Sequence, residues 1–249
     1  MELHENGKIY GLSRSFDGAR IGGIRVCVLD IDSNFYKLIA ANRPEDKKFI
    51  WPTAIALDSD HNVYITDEST QKISVFSEEG DFIKNWGTHG SDVGEINGPC
   101  GIAFDPEDNA YISDHKNHRV QKFTKDGDYI LSFGRHGTRD GEFNRPWGLT
   151  TDLNGNVYVA DWRNDRIQMF TNDGTFIKTY GSAGSDNGEL NRPSSVAVDE
   201  EGYVYVADWG NERVQLFTPD GTFLAKTKGE SDLSQWAHEL IEKNDIYKT

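Results

Sequence analysis

Apolar residues along this chain come in short bursts separated by Asp, Asn and Gly, and the bursts recur in a fixed order. Runs such as Val63-Tyr64-Ile65 and Val157-Tyr158-Val159-Ala160 place apolar side chains at successive positions, so as strands they are apolar on both faces. Four bursts make a unit. The turns between the first and second bursts, and between the third and fourth, are rich in Asp, Asn and Gly, which tolerate positive φ and favour hairpins. Each unit is therefore predicted to be a four-stranded antiparallel meander with two faces to cover. Packing successive sheets face to face in a ring covers both, which predicts an all-β propeller.

The units keep strict register. Pro52, Pro99, Pro146 and Pro193 are each 47 residues apart, and the segments that follow them align without a gap. This places complete blades at 52–98, 99–145, 146–192 and 193–229. Arg25, Leu29 and Phe35 lie 47 residues before Lys72, Phe76 and Phe82, so residues 8–41 are read as a partial first blade with no inner strand. The propeller domain is assigned to 1–229. In the last segment, 230–249, Leu233, Trp236, Ala237, Leu240 and Ile241 follow helical spacing behind a capping Ser231, which predicts a short amphipathic helix.

The recurring order of Pro, an inner strand ending in Asp, VYVAD, an Asn and an Arg before V-Q-x-F, and a DG turn resembles the NHL repeat. That resemblance implies a six-bladed ring, of which this chain would be a version shortened at its C-terminus. It also brings nearby enzymes into view. The peptide-amidating lyase is a similar propeller that uses zinc held by histidines, and other related propellers are calcium-dependent lactonases. Where the lyase carries an inner-strand histidine, this chain has Thr53, Cys100, Trp147 and Ser194. NHL domains also occur in ubiquitin ligases behind Cys-rich modules, for which two cysteines are too few.

Composition narrows the partners. With 41 acidic against 26 basic residues the net charge is −15, a field that repels phosphate backbones and anionic lipid, so nucleic acid and membrane are disfavoured as partners. There is no basic and apolar leader at the start and no apolar run long enough to span a bilayer, which reads as a soluble, cytoplasmic chain. Cys27 and Cys100 fall two blades apart, too far for a disulfide.

In a meander the loops between second and third strands emerge with the blade-to-blade connectors on one face, where function is expected. Comparing the repeats with one another sorts their residues. Asp67, Asp114, Asp161 and Asp208 recur in every full blade, followed five residues later by Lys72, Arg119, Arg166 and Arg213. They read as structural, through Asp-to-base pairing or Asp caps on loop amides, and Asp58, Asp105, Asp152 and Asp199 as turn formers. The positions that vary offer chemistry: Trp147, Trp162 and Trp209 as an apolar platform, with His115, Arg119, Arg166 and Arg213 on the same binding face. His89, His115, His118 and His136 share that face and form a candidate set for a zinc or calcium ion. The expected function is a binding scaffold that presents the long-loop face to a protein or small-molecule ligand. A metal-dependent lyase or hydrolase is the alternative, with catalytic residues unassigned.

Overall fold

The computed structural model describes residues 2–3, 7–14, 24–30, 34–39 and 49–228. Among them the chain forms five four-stranded antiparallel sheets, each with its strands in chain order. The inner strands of the last four blades are Pro52–Leu57, Pro99–Phe104, Pro146–Thr151 and Pro193–Val198. They lie side by side around the centre. No helix among the described residues is long and apolar enough to cross a membrane.

The core consists of layers between blades, as the two-faced apolar strands require. Tyr64, Ile73, Val75 and Trp86 of blade 2 pack on Ile102, Ala110, Ile112 and Phe123 of blade 3. The 1/2, 3/4 and 4/5 interfaces are built alike. Aromatic rings meet across them, for example Trp86 and Phe123 with centroids 5.2 Å apart.

Two expectations are corrected here. The first blade does have an inner strand, the two-residue Glu2–Leu3, which pairs with Ile9–Arg14. A two-residue strand is too short to show any alternation, so no sequence pattern could announce it. Among the described residues there are also five blades rather than the six that the resemblance implies. Tyr64, Tyr111 and Tyr158 are buried between blades, whereas the equivalent Tyr205 is 40% exposed, and so is Val214, whose counterparts Ile73, Val120 and Ile167 are fully buried. Among the described residues no blade follows the fifth. The helix expected at 230–249 lies outside the described residues.

Adjacent inner strands approach closely enough to demand glycine at one point. A Cβ on Gly148 would lie 2.6 Å from the Ser194 carbonyl oxygen and 2.8 Å from the Ser195 Cα. Both are backbone atoms, so a strand has to move. Gly148→Ala is expected to cost about 1–3 kcal/mol in a urea unfolding experiment. A loss below about 0.5 kcal/mol would mean that the strands part freely.

Candidate functional site

The long-loop face rests on a repeated polar frame. Asp161 is fully buried. Its carboxylate accepts hydrogen bonds from the Asn144 amide at 2.7 Å, Asn164 Nδ2 at 2.8 Å, Arg166 Nε at 2.9 Å and Gln168 Nε2 at 3.1 Å. Burial pushes this carboxyl above the usual carboxylate range, and the four donors act against that shift. Asp114 and Asp208 are held by the same four kinds of donor. Each arginine then reaches across to the connector: Arg166 Nη2 donates to the Arg139 and Glu142 carbonyls, and Arg119 and Arg213 do the equivalent. Arg119, Arg166 and Arg213 are thus tied into the scaffold beneath the face.

Blade 2 solves the problem differently. Thr70, Lys72 and Ser74 stand where the other blades have Asn, Arg and Gln. Asp67 accepts instead from four backbone amides, those of Ile50, Trp51, Ser69 and Thr70. Lys72 Nζ turns to the Gly87 carbonyl. Of the two expected structural arrangements, the pairing with a base is therefore made by Arg119, Arg166 and Arg213, and the cap on loop amides by Asp67, where main-chain donors fill the carboxylate and Lys72 is not needed. Asp58, Asp105 and Asp152 each accept from backbone amides two and four residues on, closing the turns after the inner strands.

The connectors are firm. Ile96, Phe143 and Leu190 are completely buried plugs, and each loop is crossed by a short parallel pairing, His89 with Ile96, His136 with Phe143, and Ala183 with Leu190. A surface braced in this way can hold side chains in fixed positions.

At the centre lies a cavity of about 800 Å³ between the inner strands, with Trp147, Trp162 and Trp209 in its wall. Trp147 and Trp162 meet at 5.5 Å between centroids. Beside them His115, only 3% exposed, stands edge-on to Trp147 at 4.9 Å. Burial, reinforced by the nearby Arg145, pulls its pKa down to about 4, while a hydrogen bond to the Pro146 carbonyl and the charge of Glu68 act the other way. Its Nδ1 has no partner among the described residues. Trp209 is 59% exposed.

Arginines complete the rim. The guanidinium of Arg163 lies 4.6 Å from the Trp162 ring centre and that of Arg192 lies 5.6 Å from it. Repeat comparison held the signal for this cluster, which the sequence analysis passed over. Arg145 and Arg192 precede the repeat proline where blades 2 and 3 have Trp51 and Gly98.

The four histidines do not gather. His118 and His136 stack at 4.3 Å, His118 Nδ1 accepts from the Arg145 amide at 3.1 Å, and His115 is turned to the tryptophans. Among the described residues no three His, Cys, Asp or Glu side chains are placed to hold a metal. Cys27 and Cys100 are not joined in a disulfide.

Comparison with known proteins agrees with this architecture. Residues 93–187 match the SMP-30/gluconolactonase/LRE-like region and residues 190–217 match the NHL repeat. No curated protein matches the chain. Among solved structures, a streptogramin B lyase is similar with a TM-score of 0.64 and 16% identity, over 92% of this chain and 68% of that one. Virginiamycin B lyase from Staphylococcus aureus is similar with 0.62 and 13%, over 92% and 69%. A protein of unknown function from Bacteroides caccae gives 0.60 and 10%, over 89% and 72%. At these identities the structures speak for the fold alone. The two family matches, the 47-residue register and the five four-stranded blades together make this chain a β-propeller that carries an NHL repeat at 190–217 and an SMP-30/gluconolactonase/LRE-like region at 93–187.

Proposed function

We propose that the protein is a binding scaffold whose long-loop face captures a ligand at the tryptophan-walled mouth of its central cavity. The observation that carries this reading is the presence of Trp147, Trp162 and Trp209, from two blades, in the wall of one open cavity. Its volume of about 800 Å³ falls in the range of small-molecule sites. Exposed tryptophan is costly to leave in water and is characteristic of binding hot spots. The frame beneath it, with every Asp and Arg already satisfied, supports position rather than chemistry. The metal-dependent lyase or hydrolase reading uses the same face, and no grouping of ligands among the described residues favours it.

A fragment screen by ligand-observed NMR tests this proposal on the wild type and on Trp209→Ala, whose side chain is exposed enough to be removed without loss of core. Fragments that bind the wild type are expected to lose about 30-fold or more in affinity to the variant, the effect of truncating a hot-spot tryptophan. Equal binding to both proteins would place the ligand elsewhere.

A further inference from the structure

The chain carries an excess of acid, yet Arg163 and Arg192, whose guanidinium groups lie on the cavity-wall Trp162, and the neighbouring Arg145 form no ion pair among the described residues. Lys84, Lys116, Lys122, Arg119, Arg135, Arg166 and Arg213 all form ion pairs. Arg145, Arg163 and Arg192 form none with any described carboxylate, nor does Arg139 on the connector. Two of them meet on one ring. Arg163 and Arg192 both lie against the Trp162 ring, and Arg145 acts electrostatically on His115, which itself touches Trp147 and Trp162.

Two of these arginines sit on unfavourable backbone. Arg145 has φ 59° and Arg192 φ 51°, in the left-handed region, at a position where blade 3 has Gly98 at φ 74°. A side chain there is strained where glycine would be relaxed. The backbone amides at these positions are clasped by the preceding blade, Gly98 by Gln71 Oε1, Arg145 by His118 Nδ1 and Arg192 by Asp165 Oδ1. That clasp needs only an N–H. The arginine side chains add nothing to it.

Unpaired guanidinium groups, held over indole rings at the lip of a cavity, match a ligand that offers a flat apolar body and one compact negative charge. The geometry points to an aromatic carboxylate as the ligand class, its ring against Trp147, Trp162 and Trp209 and its carboxylate on the guanidinium groups of Arg163 and Arg192, with Arg145 adding positive charge beside His115. Arginine suits this because its planar fork binds carboxylate bidentately and stacks on rings. The overall charge of −15 selects for a small monoanion. An extended polyanion would meet repulsion along its whole length, whereas a single carboxylate within a Debye length of three cations feels mainly those cations. This inference rests on the reading of the cavity mouth as a ligand site, and its test separates the two.

The probes are 2-naphthoate and its neutral counterpart 2-naphthylmethanol, titrated calorimetrically at low salt into the full chain. Wild type is expected to bind the naphthoate at least about tenfold more tightly than the alcohol, the effect of a charge-assisted hydrogen bond. Arg163→Gln and Arg192→Gly are expected to lose that preference, and Arg192→Gly to melt no lower than wild type because glycine suits its φ. Trp209→Ala should weaken both probes. If both probes bind equally and Trp209→Ala weakens both, the mouth remains a ligand site and the anionic class is wrong. Naphthoate binding that ignores both arginine substitutions overturns the assignment of these residues. Absence of binding by either probe overturns the ligand class and leaves the mouth to be judged by its own screen.

Discussion

Replacing Asp161 by alanine is expected to lower the free energy of unfolding by about 3–5 kcal/mol, the cost of stripping one partner from a buried ion pair. The carboxylate is fully buried and accepts from four donors, one on the connector, one on the turn and two on the following strand. Without it, Arg166, whose side chain is 11% exposed, keeps two carbonyl partners and only the distant, exposed carboxylate of Asp140 at 3.7 Å, and the Gln168 amide loses one of two acceptors. The connector that roofs the blade is attached through these groups, so the loss extends to the long-loop face. Against a total stability of roughly 5–15 kcal/mol for a folded domain, the effect is a large fraction. Urea unfolding followed by circular dichroism measures it. A loss below about 1 kcal/mol would show that the donors find other acceptors or water, and that the frame is dispensable.

The second large effect depends on pH. His115 has its folded pKa pulled down to about 4, against about 6.5 for an unperturbed histidine. Between these values the unfolded chain binds a proton that the folded chain refuses, so stability rises with pH across that window. The contribution of His115 is complete above about pH 6.5 and is lost progressively as pH falls towards 4. Integrated over the window, the shift corresponds to a loss on the order of 3 kcal/mol. Glu68, Lys116 and Arg145 all act on this imidazole, and the two cations add to the effect of burial. His118 has a lowered pKa as well and contributes in the same direction. His115→Phe keeps a ring against Trp147 and removes the titration. Its unfolding free energy should fall less steeply than that of the wild type between pH 6.5 and 4. Parallel curves for the two proteins would assign the acid sensitivity to other groups.

Much of the architecture was legible before any coordinates, because a 47-residue period repeated four times averages out local ambiguity. One VYVAD run could be a strand or a piece of buried helix. Four in register, each followed by the same turn residues, define a blade, and two apolar faces per strand require neighbours. The scaffold role of Asp114, Asp161 and Asp208 was equally visible, since a residue that every blade repeats answers a need that every blade has. What no period could show was how each blade meets that need: blade 2 keeps Asp67 but fills it with backbone amides, and Lys72 goes elsewhere.

The sequence by itself determined the repeat, the strand order and the face on which the variable residues lie, because those follow from local periodicity and from the geometry of a meander. Only the tertiary structure decided the rest. Glu2–Leu3 becomes an inner strand by pairing with Ile9–Arg14, a contact between segments with no pattern of their own. Tyr205 and Val214 have the same sequence setting as their buried counterparts and differ from them in having no following blade among the described residues. The four histidines share a face in the sequence reading, yet side-chain direction splits them into a stacked pair, a buried ring and a bridge residue. The cluster of Arg145, Arg163, Arg192, Trp147 and Trp162 draws on positions up to 47 residues apart in the chain. Packing of one blade against the next brings Arg192 to within 5.6 Å of the Trp162 ring centre, and that distance lies in the ring and not in the repeat.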